Sequence, residues 1–454
     1  MQARVGQRLA AYRDGLQLRP LPVDGRLTKL VGLTLEAEGC EAAIGSRCLV
    51  ETDAAAGSGP GLAQAIEAEV VGFERGRTLL MPLDTVAGLS PGARVRPLGR
   101  SGRFPFGPGL VGRVIDGAGL PLDDRGPLLG CATAALDDTR LAPLSRGAVR
   151  EPFDVGVRAI NGLLTLGRGQ RVGLFAGSGI GKSSLLGMMS RYSSADVTVI
   201  AMVGERGREV RDFVRDTLGP DGLAHAVVVA EPADRPPLAR LQGALLATAI
   251  AEGFRDAGQD VLLLMDSLTR VAQAQREIGL ATGEPPTAKG YPPSVFATLP
   301  ALVERAGALR ARGSITAVYT VLAEGDDPND PIVDAARAVL DGHIVLDRAL
   351  ADAAHWPAID IGASVSRTRD NVTDTDWQAA MRRCLRLAAA YRAQEDMIRV
   401  GLYQSGTDPL LDEAIRLWPH LERFLQQRST QCVSLSAARA ELLALLETST
   451  AHVP

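Results

Sequence analysis

The sequence predicts an α/β protein built on a parallel sheet, with a small all-β region before it and a helical region after it. Three observations predict this. From about Gly112 to Arg367, apolar strand-like runs alternate with helical stretches, the texture of a parallel sheet with crossover helices. A glycine-rich segment, Ala176-Gly177-Ser178-Gly179-Ile180-Gly181-Lys182-Ser183, falls between one such run and a helix-like stretch. Before about Leu98 the texture is short β-like runs separated by turn residues, and beyond Thr373 it is helical and rich in Leu, Ala and Arg.

At 454 residues the chain is too long for one ordinary core. Hydrophobic residues make up 46% and charged residues 22%, ordinary globular values. A formal net charge of −4 gives no electrostatic case for nucleic-acid binding. Cys40, Cys48, Cys131, Cys384 and Cys432 are scattered, odd in number and without metal-ligand spacing, which points to a reducing compartment and no zinc site. No run approaches the roughly 18 apolar residues of a membrane span, and the opening Met1-Gln2-Ala3-Arg4-Val5 leads into no signal-peptide core. A cytoplasmic protein is expected, with any membrane contact made through partners.

Val5, Leu9, Tyr12 and Leu16 recur at helical spacing ahead of Pro20 and Pro22, giving a short amphipathic helix that either folds onto its own domain or docks a partner. Leu30–Leu35, Arg47–Val50, Ala68–Phe73 and Thr78–Met81 read as strands of a sandwich or barrel. Val197–Val203, Ala226–Ala230, Val261–Met265 and Ile315–Tyr319 are the clearest strands of the parallel sheet. Met381–Arg392 and Ala437–Leu446 read as helices.

The glycine-rich segment carries the first chemistry. Arg171–Phe175 reads as a buried strand and Ser184–Met189 as the start of a helix, so Gly177, Ser178, Gly179, Ile180, Gly181, Lys182, Ser183 and Ser184 fall where backbone N–H groups converge on phosphate oxygens at a helix N-terminus. Lys182 would reach the β- and γ-phosphates of a nucleoside triphosphate, and Ser183 would ligate Mg²⁺. Ala176 stands where the usual pattern has its first glycine, and the inner glycines bear the tighter backbone demands. Asp266 ends an apolar strand run and either holds the metal through water or, with Ser267, caps the following helix. Glu205 follows the strand ending at Val203 and is the candidate base, with Arg206 and Arg208 available to carboxylates or phosphate and Glu209 to the metal's water shell. Alternatively Gly204–Glu209 is a solvated charged turn. Arg367 ends an alternating strand, and by spacing alone a surface arginine is the simpler reading.

Together these segments resemble the catalytic subunits of the rotary ATPase α/β-subunit family. The resemblance rests on Gly112–Gly119, the phosphate loop, Gly204-Glu205-Arg206, Met265–Arg270 and Ser364–Arg367. Lys289–Phe296, Glu324–Asp327 and Leu340–Leu346 look like its type III protein-export branch. Val31–Ala37, Leu79–Leu83, Gly187–Met189 and Leu417–Gln426 look more like the flagellar members than the virulence-injectisome members. The resemblance runs from about Leu30 to Gln426. It implies a RecA-like P-loop core (98–372) with an N-terminal β-barrel (21–97), a C-terminal helical domain (373–454) and a partner-docking helix (1–20). It further implies Mg-ATP hydrolysis driving type III export of flagellar proteins, by a homohexamer peripheral to the cytoplasmic face of the inner membrane. Lys182, Glu205, Arg206 and Asp266 take catalytic roles, and Arg367 becomes an arginine finger acting on a neighbouring subunit. Trp356, and on the other side Tyr403, fall near the adenine. Implied partners are a stator-like regulatory subunit at the N-terminal helix, a central stalk protein, the export gate, chaperones and export substrates, with no nucleic acid. A ring-shaped RNA translocase, a nucleotide-binding assembly subunit and an ion-driven rotary subunit are the competing readings.

Overall fold

The computed structural model describes residues 23–52, 65–100, 103–135, 142–177, 179–310, 313–322 and 330–447, and the chain divides between Ser101 and Gly102 into two compact units. The expected docking helix over Val5–Leu16, Ser178 and the Glu324–Asp327 motif lie outside the described residues.

In the first unit, strands Gly25–Val31, Thr34–Glu38, Arg77–Pro82, Ala65–Glu74, Ser46–Glu51 and Arg94–Arg100 pair in that order and close into a barrel. Alternation explains why the sheet can bury one face only: along Ser46–Glu51, buried and half-buried residues take turns. Leu27, Leu35, Cys48, Val50, Ala68, Val70, Leu80 and Val95 form the core, while Arg77 pairs with Glu36 and Glu38 on the surface at 2.9 Å each. The structure corrects one expected strand. Leu30–Leu35 is not continuous but crosses a hairpin in which Val31 pairs with Thr34, with Gly32 at a φ of 56°. Glycine takes this left-handed backbone at the first central position of a two-residue turn without strain, so an apolar run hides a reversal of direction.

The second unit holds a nine-stranded sheet. Its order is Ile359–Ser366, Gly342–Leu346, Arg171–Phe175, Ser314–Val321, Asp260–Asp266, Val197–Val203, Ala226–Glu231 and Val114–Ile115, with Gly307–Ala308 pairing Ser314–Val321 off that path. Neighbours are parallel except at Ile359–Ser366 and Gly307–Ala308, which pair antiparallel. The central strands are buried throughout because a core lies on each face, which is why they read as unbroken apolar runs. Helix Pro237–Asp256 packs on one face. The helices Thr375–Arg399, Pro409–Leu425 and Leu435–Glu447, which contain the expected helical stretches, join the core of the other face together with Phe153, Ile160 and Leu163. Trp377 pins the first of them by donating its indole N–H to Gly162 O at 3.0 Å.

Candidate active site

Strand Arg171–Phe175 delivers the glycine-rich loop to the carboxyl edge of the sheet, and helix Lys182–Tyr192 carries the chain away. Gly179 and Gly181 have φ values of 78° and 86°, open to glycine at no steric cost. At Gly181 a neighbour adds to the demand, because a Cβ there would sit 2.7 Å from Trp356 Cζ3. Ala176 is not among the positive-φ residues, so the alanine that opens the loop meets no conformational penalty, and its N–H donates to Val321 O at 3.2 Å. Ile180, 2% exposed, anchors the loop in the core, while Ser183 and Ser184 are exposed in the first helical turn.

Three strand ends converge around Lys182. Its Nζ lies 2.6 Å from Asp266 Oδ1 and 3.6 Å from Glu205 Oε1. Thr320 Oγ1 donates to the same Asp266 oxygen at 2.7 Å. Glu205 is 6% exposed and Asp266 4% exposed, so neither carboxylate is a solvated turn residue. The helix that follows is capped instead by Ser267, whose Oγ accepts from Arg270 N at 3.2 Å, leaving Asp266 to face the lysine. Burial pushes the Glu205 carboxyl above the ordinary glutamate range, opposed by the charge of Lys182 and reinforced by a hydrogen bond with Glu209. Burial likewise raises Asp266, again against the pull of Lys182. Glu205 Oε1 is buried without a hydrogen-bond partner, a costly state that a water or ligand in the site would relieve.

The remaining expected residues are scattered. Arg206 is exposed and pairs only loosely with Glu209, at 3.4 Å. Trp356 lies against Gly181 at one side of a cleft of about 770 Å³, whose lining also includes Ser184, Arg423 and Gln427. Tyr403 is not part of that lining. Its hydroxyl is 2.9 Å from Asp412 Oδ1 and donates to Asp408 O at 3.1 Å, which fixes it in the loop before helix Pro409–Leu425. Arg367 is not at the carboxyl edge. Gly342 pairs with Ser366 and Leu346 with Ile359, so the eight-residue strand runs from the Trp356 side at the carboxyl edge down to Arg367 at the amino edge, roughly 25 Å away. There its guanidinium donates to Leu340 O at 3.1 Å and Arg337 O at 3.4 Å.

Two contributors escaped the sequence reading. Thr320 is adjacent to the Asp266 strand because Met265 pairs with Tyr319, a register no local pattern reveals. Arg270 lies close enough to Glu205 for its charge to oppose the rise in that carboxyl's pKa, and its Nε is buried without a hydrogen-bond partner. Gly204 makes room for it, since a Cβ there would stand 2.8 Å from Arg270 Cβ. A glycine next to the candidate base was the one signal available.

Residues 156–366 match the ATP synthase alpha/beta family, nucleotide-binding domain, and residues 373–444 match the T3SS EscN ATPase C-terminal domain. The chain is 54% identical to the flagellum-specific ATP synthase of Pseudomonas aeruginosa, with 97% of each chain covered. It is 47% identical to the type 3 secretion system ATPase of Xanthomonas euvesicatoria, with 90% of each covered. Among solved structures it resembles the assembled ATPase EscN from the enteropathogenic E. coli type III secretion system, at a TM-score of 0.86 and 42% identity over 93% of this chain and 100% of that one. A second similar structure is EscN in complex with its central stalk EscO, at a TM-score of 0.84 and 41% identity over 93% and 100%.

Proposed function

This chain belongs to the family that holds the flagellum-specific ATP synthases and the type III secretion ATPases, and we propose that it hydrolyses ATP to energise export of flagellar proteins during flagellum assembly. The observation that carries the reading is the buried cluster in which Glu205 and Asp266 flank the phosphate-loop lysine, with Glu205 Oε1 facing the lysine at 3.6 Å and making no hydrogen bond.

In this reading the loop N–H groups and Lys182 receive the β- and γ-phosphates, so Lys182 exchanges part of its contact with Asp266 for phosphate charge. The donors fit magnesium, being oxygens only: the Ser183 hydroxyl, the Asp266 carboxylate and, through water, Glu209. When bound with the nucleotide, magnesium would neutralise charge on the phosphate oxygens. Glu205 orients and deprotonates the attacking water, for which its raised pKa is suited. Arg206 and Arg270 support the carboxylates, and Trp356 stacks on the base. Arg367 stands at the wrong edge to serve its own chain, which is why it is assigned to the neighbouring subunit's γ-phosphate.

A ring of identical subunits, six by family expectation, follows from a finger acting in trans, and a central stalk is proposed because a similar protein is solved with one. Residues 1–20 dock a stator-like subunit, 21–97 form the barrel domain, 98–372 the ATPase domain, and 373–454 the helical domain that meets the stalk and export substrates with their chaperones. No helix among the described residues is long and apolar enough to cross a membrane, in keeping with a cytoplasmic ring held at the inner membrane by the export gate.

Glu205→Gln tests the chemistry: the variant should bind ATP as the parent does and release no phosphate, and normal turnover would remove Glu205 from the base role. A virulence-secretion role is the second reading, favoured by the type III secretion neighbours. Deleting the gene separates them. A non-motile strain without secreted flagellin supports the flagellar role, and a motile strain defective in effector injection supports the other.

A further inference from the structure

The cleft beside the phosphate loop has two walls. One is helix Lys182–Tyr192 with Trp356 laid on Gly181. The other is the end of helix Pro409–Leu425 and the chain just beyond it. One residue ties into these walls, its backbone to Trp356 and its side chain to Gly156, Arg158 and Gln431. Gln427 is 5% exposed, and its backbone N–H donates to Trp356 O at 2.8 Å. Its Oε1 accepts from Arg158 N at 2.7 Å. Its Nε2 donates to Gly156 O at 2.8 Å and to Gln431 O at 2.7 Å.

The buried side-chain amide therefore ties Gly156 and Arg158 to the chain after helix Pro409–Leu425, with its two donor hydrogens and acceptor oxygen all used, and the backbone N–H of the same residue holds Trp356 O. Such a fully satisfied buried network fixes one arrangement, because any slip leaves donors or acceptors unpaired. The side chain thereby fixes the Gln427 backbone, whose N–H in turn holds the Trp356 carbonyl, so the side-chain amide reaches the indole indirectly through the main chain. None of the hydrogen bonds of Gln427 named above reaches Lys182, Glu205 or Asp266, where the lysine pairs with both carboxylates.

We propose that Gln427 is a positioning residue that sets the width of the slot in which the nucleotide base lies, and so governs affinity for the base without taking part in phosphate chemistry. This rests on the reading of the Trp356 cleft as the base side of the ATP site. Two ligands separate the base from the phosphates: ATP, and inorganic tripolyphosphate, which occupies the loop but has no base.

In the full-length ATPase, Gln427→Leu keeps the volume and removes the amide. As the three side-chain hydrogen bonds that position the Gln427 backbone are lost, the expected result is a KM for ATP raised about tenfold, with kcat within about twofold and the inhibition constant of tripolyphosphate unchanged. Gln427→Glu retains the acceptor for Arg158 N but sets an oxygen against the Gly156 and Gln431 carbonyls, and should show the same split. Equal rises for ATP and tripolyphosphate, a KM like the parent's, or failure of both variants to fold would overturn the proposal, since the residue would then be structural only. Trp356→Ala checks the premise separately. If it leaves the KM for ATP unchanged, the base-side reading falls; if it raises that KM while Gln427→Leu does not, only the role of Gln427 falls.

Discussion

The two edges of the parallel sheet hold charge under opposite conditions. At the carboxyl edge one lysine is enclosed by two carboxylates that are 6% and 4% exposed, and both are pushed toward protonation by burial. At the amino edge Arg367 is exposed and rests on the neutral carbonyls Leu340 O and Arg337 O, at the C-terminal end of helix Pro331–Val339, where a cation is favoured by the helix dipole. The first edge has the groups to hold phosphate and activate water. The second has a cation that no carboxylate neutralises among the described residues. Charge growing on a γ-phosphate calls for both, and the strand Ile359–Ser366 keeps them apart within one chain. In the proposed reading, one molecule carries two half-sites that belong to different whole sites.

The largest effect should come from the amino edge. Arg367→Ala should lower kcat by roughly 10³ to 10⁵ while leaving ATP binding close to normal, measured by steady-state phosphate release. A small effect would mean that the carboxyl edge is self-sufficient. Next is pH. As the proposed base, Glu205 must be ionised, and burial raises its pKa, so kcat should fall about tenfold per pH unit below an acid limb placed above the ordinary glutamate range. The sign for stability is opposite. With both folded-state pKa values raised, the folded chain takes up protons before the unfolded chain does, and stability rises as pH falls through those values. Thr320→Val removes the 2.7 Å hydrogen bond to Asp266 at nearly constant volume and should lower kcat/KM by up to about tenfold. The smallest effect belongs to the barrel. Gly32→Ala meets open space but holds a φ of 56°, so unfolding should ease by about 1 kcal/mol with hydrolysis unaltered.

Much of this arrangement can be read from the sequence, and the exceptions have physical causes. The strands ending at Val203 and Asp266 show as unbroken apolar runs because both faces of the sheet are covered, and the Lys182 loop shows because its backbone demands glycine at Gly179 and Gly181. The hairpin at Gly32 does not show, since its two strands share one apolar run. Thr320 and Gln427 are invisible for another reason: each acts through residues far away in sequence, Asp266 in one case and Gly156, Arg158 and Trp356 in the other. Tyr403 shows the converse, an aromatic placed near the adenine by the resemblance alone, whose hydroxyl is taken up by Asp408 and Asp412.

That one chain's carboxyl edge works with another chain's amino edge is tested most directly by mixing two inactive variants. Glu205→Gln retains Arg367, and Arg367→Ala retains Glu205. In a ring assembled from equal amounts of both, about a quarter of the subunit interfaces should join an intact Glu205 to an intact Arg367. Phosphate release should then return to a corresponding fraction of the parent rate. A mixture in which differently tagged subunits copurify in the same oligomer and yet no activity returns would contradict the shared site.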